Sequence, residues 1–567
     1  VFLRSTANML LRRNSADAIG AATAAATAAG LGALLLWWRL RHRSLAQLPP
    51  GPAADGLFSS LLQLFFPQKP GAHRYQPGNG HLLWAEALHE KYGDTFSLTS
   101  LFGRPYLVTR DPDIIEEALR QDGKTWHMPQ VAVEAMREIY GDSISVLKGP
   151  EHRKRRTVIN EWWISGGTVG TEASGAKQKA FDLMLDAVST IMQSMFERMD
   201  AAAASGDPMP ATDCLWVFAL ESMCAILFGT QVTREHFATP VLQAKIQQAH
   251  MTLNDRIFSR FVPRAMWPRF WNAWAEFWED AFGARKQKES ALKAFLPLFK
   301  RVAAAETGHG AWVRSCMKDV PDIRYWHGQM FDLIDGGTET VVSFLRSMLL
   351  VLYSPESTDL LNAIRGEIQT CARQADGSRF VANQENFAAR RVPILDSALK
   401  ECMRLFPPIP TLLPRTMIQP GATRLAELLG WGTGKLPPGL MLQMSLFSLH
   451  RHPSFWELPH EFRPERWSAI HGPTKFFRPF GGGIHGCVTS KYLYFQLRMV
   501  VAEVVDKFDL EFNHNDETFA AVQQELTAAT PARRLAAKIE SLHYIENQSL
   551  AMERIGLSFK VSKRKQT

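Results

Sequence analysis

Residues 480–487 read Phe-Gly-Gly-Gly-Ile-His-Gly-Cys, and a helical stretch follows at once. Glycines let a backbone turn tightly and approach a flat ligand closely. Cys487 closes the loop just before a helix N-terminus, where N–H donors and the helix dipole favour a charged sulfur. A thiolate is the form of cysteine that ligates iron. Taken alone, the segment also allows a blander reading, a glycine-rich turn that ends in a buried cysteine.

Upstream, residues 324–355 form one long apolar helical pattern with Gly336-Gly337-Thr338-Glu339-Thr340 inside it. Two glycines within a helix cost about 1 kcal/mol each relative to alanine. They permit either close helix packing or a local opening beside a bound molecule. Glu401 and Arg404 are three apart on a helix over 392–405, so they share one face. Such pairs are common on helix surfaces. What gives this one weight is the segment that follows it, Phe462-Arg463-Pro464-Glu465-Arg466-Trp467. A basic helix begins at Gly149-Pro150 and carries His152, Arg153, Lys154, Arg155 and Arg156, and Arg415 stands in an LLPR segment.

The remaining pattern is mainly helical. An amphipathic helix is expected over 81–92, two short strands around Gly103 over 96–110, and a loop over 164–175. Most of 176–300 is helical in period, and 357–373 forms a further helix. Residues 406–486 are rich in Pro and Gly, a last helix starts near 488, and 540–562 reads as a terminal β-hairpin. Trp267, Trp271, Trp274 and Trp278 lie on one helical stripe, either core-facing or in contact with a membrane.

The chain has 567 residues, 46% hydrophobic and 21% charged, which is ordinary globular composition. No strong linker follows residue 55, so a single large domain is allowed despite the length. The net charge of +8 is modest and is not gathered into a long basic run, so no nucleic-acid partner is expected. No two of the six cysteines have C-x-x-C spacing, which argues against a zinc or dithiol site and fits a reducing compartment.

Residues 18–38 carry no charge, end in Trp37-Trp38 and are followed by Arg39, Arg41 and Arg43. A helix of that length spans a bilayer core of about 30 Å. The stretch reads as a transmembrane anchor with the body in the cytosol, and an organellar transit or signal peptide is the alternative. LPPGP at 48–52 is the stiff hinge that follows. The boundaries are therefore 1–48 for anchor and basic hinge, and 49–567 for the catalytic domain.

In this order and spacing, the segments resemble the cytochrome P450 family. The Cys487 loop resembles its haem-binding signature F-x-x-G-x-R-x-C-x-G, with Phe480, Gly483 and Cys487 matching, His485 in place of Arg and Thr489 in place of the last Gly. Glu401, Arg404 and Arg466 resemble its E-x-x-R and F-x-P-x-R elements, which implies a buried structural triad. The glycine pair resembles the A/G-G-x-D/E-T motif, which implies that Thr340 orients protons and Glu339 relays them. The basic helix resembles W-x-x-x-R with His152 in place of Trp, and it implies that Arg156, with Arg415 and His485, holds the haem propionates. His485 would carry a pH-dependent charge.

The resemblance implies a mainly α fold with a small β portion, haem b ligated by Cys487, and dioxygen as co-substrate. It implies a monooxygenase that oxidises a lipophilic small molecule with electrons from NADPH, delivered by NADPH–cytochrome reductase at the endoplasmic reticulum membrane. Arg153, Lys154 and Arg155 would be its basic docking patch. Two other functions are weighed against this one, a haem-thiolate isomerase or dehydratase working without dioxygen and a non-catalytic haem-binding protein. Glu339 and Thr340 argue against the isomerase, which needs no such relay. Substrate choice is expected from residues 122–148, 230–265, 407–414 and 520–535.

Overall fold

A computed structural model describes residues 49–51, 80–99, 105–163, 168–170, 177–236, 323–371, 383–418, 423–431, 435–470, 474–513, 529–546, 549–552 and 558–564. The chain enters through Pro49 and Pro50, whose carbonyls accept hydrogen bonds from Ser97 Oγ and Ser97 N at 2.6 and 3.2 Å. The end of the hinge segment is thus fastened to the first strand.

Helix α1 (Gly80–Tyr92) leads into β1 (Thr95–Thr99) and β2 (Pro105–Thr109). The buried face of α1 carries Leu88, but also Glu86 and His89, so its amphipathicity is weaker than the pattern implied. Helix α2 (Pro112–Gln121) starts with Asp111, which caps the amides of Asp113 and Ile114, and with Pro at its first turn. Strand β3 (Trp126–His127), α3 (Gln130–Tyr140) and α4 (Gly149–Trp163) follow. Part of the expected loop over 164–175 is instead strand β4 (Thr168–Gly170), paired antiparallel with β5 (Lys177–Lys179). A pairing this short has no periodicity to read.

Helix α5 (Ala180–Ser205) packs on α6 (Ala211–Phe228), from which β6 (Met209–Pro210) separates it, and α6 lies against the long α7 (Ile323–Leu352). Then come α8 (Thr358–Cys371), α9 (Pro393–Leu405), β7 (Arg415–Met417) and β8 (Met441–Met444). The chain finishes with α10 (Ser490–Lys507), β9 (Phe508–Asn513), α11 (Pro531–Leu542), β10 (His543–Glu546), β11 (Ser549–Met552) and β12 (Ser558–Lys563). The expected terminal hairpin is confined to β10–β11. Strand β12 instead pairs with β6 and β9 in a separate three-stranded sheet.

The largest sheet runs β1-β2-β8-β7-β3, with only β2 and β8 parallel. One apolar core joins α5, α6, α7, α9 and α10, and a smaller one lies under this sheet. Among the described residues, no helix is long and apolar enough to cross a membrane. The proposed span at 18–38 and the tryptophan stripe at 267–278 lie outside the described residues, as do 237–265 and 520–528.

Candidate active site

The Cys487 loop is built on local backbone bonds. Gly481 N donates to Arg478 O at 3.0 Å, Gly486 N to Gly483 O at 3.3 Å, and Cys487 N to Phe480 O at 3.0 Å. Gly483 sits at φ +68°, and a Cβ there would lie 2.7 Å from the Leu119 carbonyl oxygen at the end of α2. Both conditions demand glycine. Phe480 packs edge-on to Tyr494 of α10, which ties the loop to the helix that follows Cys487.

Thr489 stands at the N-cap of α10 but makes no side-chain cap bond. Its hydroxyl lies 3.2 Å from Cys487 Sγ instead. The residue that replaces the usual glycine therefore fits beside the sulfur, and it brings the sulfur a hydrogen-bonding group.

Cys487, Thr489, Phe480, Glu339, Thr340 and Arg156 line one cavity of about 410 Å³. That volume falls in the range of small-molecule sites. The two strongest segments of the sequence therefore meet across a single space. Helix α7 is continuous through Gly336-Gly337, and Thr340 Oγ donates back to Gly336 O at 2.6 Å. The space there comes from missing side chains rather than from a broken helix. Glu339 Oε1 accepts from Trp216 Nε1 of α6 at 3.0 Å.

On another side, Arg156 donates to Gly486 O at 2.5 Å. Arg415 is buried, ion-paired with Asp122 at 2.9 Å, and donates to Leu413 O at 2.7 Å. The rings of His485 and His152 lie 4.6 Å apart. Burial, reinforced by Arg415, His152 and Arg156, pushes the His485 imidazole down to about 2. Its ring lines the cavity, where an N–H can donate to an anionic edge. Among the described residues, Arg415 Nε, on the cavity wall, is buried and meets no hydrogen-bond partner. A buried donor left without an acceptor is costly, and an anionic ligand edge would satisfy it. A sulfur at a glycine loop, an apolar cavity and cationic donors around it suit a haem with its propionates.

The triad residues are brought together as well. Glu401 and Arg404 are fully buried. Glu401 accepts from Arg404 Nε and Nη2 at 3.0 and 2.8 Å, and from Arg466 Nε at 3.1 Å. Two further donors were not foreseen, Arg463 N at 2.8 Å and Trp467 Nε1 at 3.0 Å. Trp467 was visible in the segment, but nothing in spacing tells that an indole points at a carboxylate.

Of the docking patch, Arg153 and Lys154 are exposed. Arg155 is less available. Its side chain is 12% exposed and paired with Glu151 at 2.6 Å, so most of it is turned from solvent.

Sequence reading also missed two acids on α7, Asp332 and Asp335, which line the cavity. Asp332 accepts from Ser145 Oγ at 3.0 Å, Asp335 accepts from Tyr140 Oη, and Gln329 Oε1 accepts from Ile144 N at 2.9 Å. These bonds strap residues 140–145 onto α7. Two successive spacings of three residues, 329, 332 and 335, carry this signal, but it is hidden within a helix that reads as apolar.

Desolvation, partly countered by Ser145 and Ser143 and reinforced by Asp335, pushes the Asp332 carboxyl up to about 6. A raised carboxyl adds stability that is fully present below its unfolded value, near 4, and is lost as pH rises through about 6. Asp332→Asn removes that dependence. The stability of the variant minus that of the wild type should grow by on the order of 3 kcal/mol between pH 4 and pH 8. Urea unfolding at the two pH values checks this, and parallel curves would refute it. The pH difference is the proper readout, because the buried amide adds a cost that is the same at both.

The family model for cytochrome P450 matches residues 74–535. The (+)-menthofuran synthase of Mentha piperita is 29% identical over 191 residues, 33% of this chain and 36% of that protein. Mitochondrial sterol 26-hydroxylase of Rattus norvegicus is 24% identical over 503 residues, 83% of this chain and 84% of that one. The retinoic acid-bound cyanobacterial CYP120A1 superposes with a TM-score of 0.61 at 17% identity, covering 85% of this chain and 94% of that one. With the family's own model matched through both halves of the cavity, this chain belongs to the cytochrome P450 family of monooxygenases.

Proposed function

We propose that this protein is a haem-thiolate monooxygenase that uses haem b and dioxygen to oxidise a lipophilic small molecule. The observation that carries this reading is that Cys487 and the Glu339–Thr340 pair line the same cavity. A bound haem would supply oxygen activation, with thiolate ligation favouring O–O cleavage. Cys487 would ligate it. Arg156, Arg415 and His485 would hold its anionic edge, His485 through an N–H.

On the α7 side, Thr340 and Glu339 would hold and move protons toward the cavity, as a positioned acid group does. Apolar walls from 122–148 and 407–414, among them Met128, Met136, Ile144, Ile409 and Leu412, would exclude water and accept an apolar substrate. The relatives named for (+)-menthofuran and for a sterol agree with a lipophilic class.

Residues 1–48 would anchor the catalytic domain, 49–567, to the endoplasmic reticulum with its body in the cytosol. There NADPH–cytochrome reductase would deliver electrons. A carbon monoxide difference spectrum of the reduced protein tests for the thiolate. NADPH consumption on adding reductase, with a lipophilic ligand first selected by its Soret shift, tests for the monooxygenase. NADPH-independent rearrangement of a peroxide would support an isomerase instead.

The docking surface on α4 reduces to Arg153 and Lys154. Opposite charges steer encounter and are screened by salt. Reversing both to Glu should slow reductase-driven turnover by about tenfold at low ionic strength. Peroxide-driven turnover should stay within error of wild type. An equal fall in both routes would mean that the pair supports haem or fold rather than docking.

A further inference from the structure

We propose that Trp216 is a positioning residue for proton delivery, holding Glu339 toward the cavity through a neutral hydrogen bond that spans two helices. The inference rests on the reading of Glu339 as the relay acid. Trp216 is 3% exposed on α6, and its Nε1 donates to Glu339 Oε1 at 3.0 Å. An indole donates one hydrogen bond and does not titrate. It therefore fixes the carboxyl oxygen without supplying a charge of its own, as a Lys or Arg in its place would.

One glycine of the pair lets α6 approach α7 closely. A Cβ on Gly337 would lie 2.6–2.9 Å from Sδ, Cε and Cγ of Met223, whereas one on Gly336 would meet nothing within 4 Å. Gly337 thus admits Met223, and Gly336 leaves cavity space. Met223 is seven residues from Trp216, on the same face of α6. Helices α6 and α7 thus meet at two places, Met223 on Gly337 and Trp216 on Glu339. The two glycines, costly in a helix, serve different neighbours.

The test needs no identified substrate. In the holoenzyme with NADPH–cytochrome reductase, dioxygen is reduced either to peroxide or to water. The first route is O₂ + NADPH + H⁺ → H₂O₂ + NADP⁺. The second is O₂ + 2 NADPH + 2 H⁺ → 2 H₂O + 2 NADP⁺. Impaired proton delivery shifts the balance toward peroxide, and the ratio of NADPH to O₂ consumed reads it directly.

Trp216→Phe keeps the aromatic bulk and removes the N–H. It should raise the peroxide share several-fold and enlarge the solvent deuterium effect on water formation. Imidazole titration of the Soret band and the thermal midpoint should stay close to wild type. Met223→Leu disturbs the same helix contact but leaves the N–H, so it should keep the wild-type ratio. Glu339→Gln should shift the ratio at least as far as Trp216→Phe.

If Glu339→Gln shifts it and Trp216→Phe does not, the positioning role is wrong while the relay reading stands. If Glu339→Gln leaves it unchanged, the relay reading fails and takes the proposal with it. If Met223→Leu raises peroxide as much as Trp216→Phe, packing and not the N–H is responsible, and the proposal is overturned.

Discussion

Cys487→Ser is expected to yield a folded protein whose reduced, carbon monoxide-bound spectrum lacks the red-shifted Soret maximum of thiolate ligation. The loop geometry does not depend on the sulfur. The Cys487 N to Phe480 O bond and the turn at Gly483 are backbone features that serine retains. The sulfur's close polar neighbour, Thr489 Oγ at 3.2 Å, can bond a serine hydroxyl as readily. What serine cannot reproduce is the electron donation of a thiolate. Reductase-driven oxidation should fall by more than about 100-fold, roughly 3 kcal/mol of barrier. The thermal midpoint of the haem-free form should be nearly unchanged. A variant that keeps both the Soret maximum and the activity would mean that another side chain ligates the iron. Among the described residues the alternatives are poor. Cys214, Cys224 and Cys402 are buried, none lines the cavity, and burial pushes the Cys224 and Cys402 thiols up, away from the thiolate form.

The parts of this site legible in the sequence are those whose chemistry depends on local order. Gly483 and Cys487 lie four residues apart and Glu401 and Arg404 three apart, so spacing alone places them on one loop or one helix face. The glycine pair is visible because it contradicts its helical surroundings, although the pattern could not tell packing from cavity. In the structure Gly337 does the first and Gly336 the second. The features that were hidden are side-chain bonds across long separations. Trp216 meets Glu339 over 123 residues, Trp467 meets Glu401 over 66, and Ser145 meets Asp332 over 187. Each pair is ordinary in composition, and only the packing of α6, α9 or α3 against its partner makes it a bond. Arg155 shows the converse. Its charge is obvious in the sequence, but the facing direction on α4 and the Glu151 pair leave little of it in solvent.

Glu401→Ala should destabilise the fold more than loss of Cys487 or Trp216, because one carboxylate serves five donor bonds. Arg404 gives two, Arg466 one, Trp467 one and the Arg463 amide one. Breaking a buried ion pair from one side costs about 3–5 kcal/mol. Here Arg404 is fully buried and would keep its charge. Its other bonds, to the carbonyls of His450, Pro459 and Glu461 at 2.8–2.9 Å, cannot supply an anion.

The damage should reach the haem loop by a traceable route. Arg404 fixes the His450 carbonyl. Burial, with Arg404 and Arg451 nearby, pushes the His450 imidazole down to about 3. The ring is therefore neutral, and its Nε2 accepts from Arg478 N at 3.0 Å. The Arg478 carbonyl then receives Gly481 N at 3.0 Å, the first bond of the loop that ends at Cys487. Loss of Glu401 should therefore lower haem occupancy as well as the thermal midpoint. Glu401→Gln should fall between, since an amide oxygen can replace Oε1 toward Arg466, Arg463 N and Arg404 Nη2. Its NH₂ would then face the donors Arg404 Nε and Trp467 Nε1, two repulsive contacts where there were two bonds. The ratio of Soret to protein absorbance, read with the melting curve, orders the three proteins as wild type, Gln, Ala. Wild-type occupancy and melting in the alanine variant would show that the carboxylate is not needed to support the Arg404–His450–Arg478 route to the Cys487 loop.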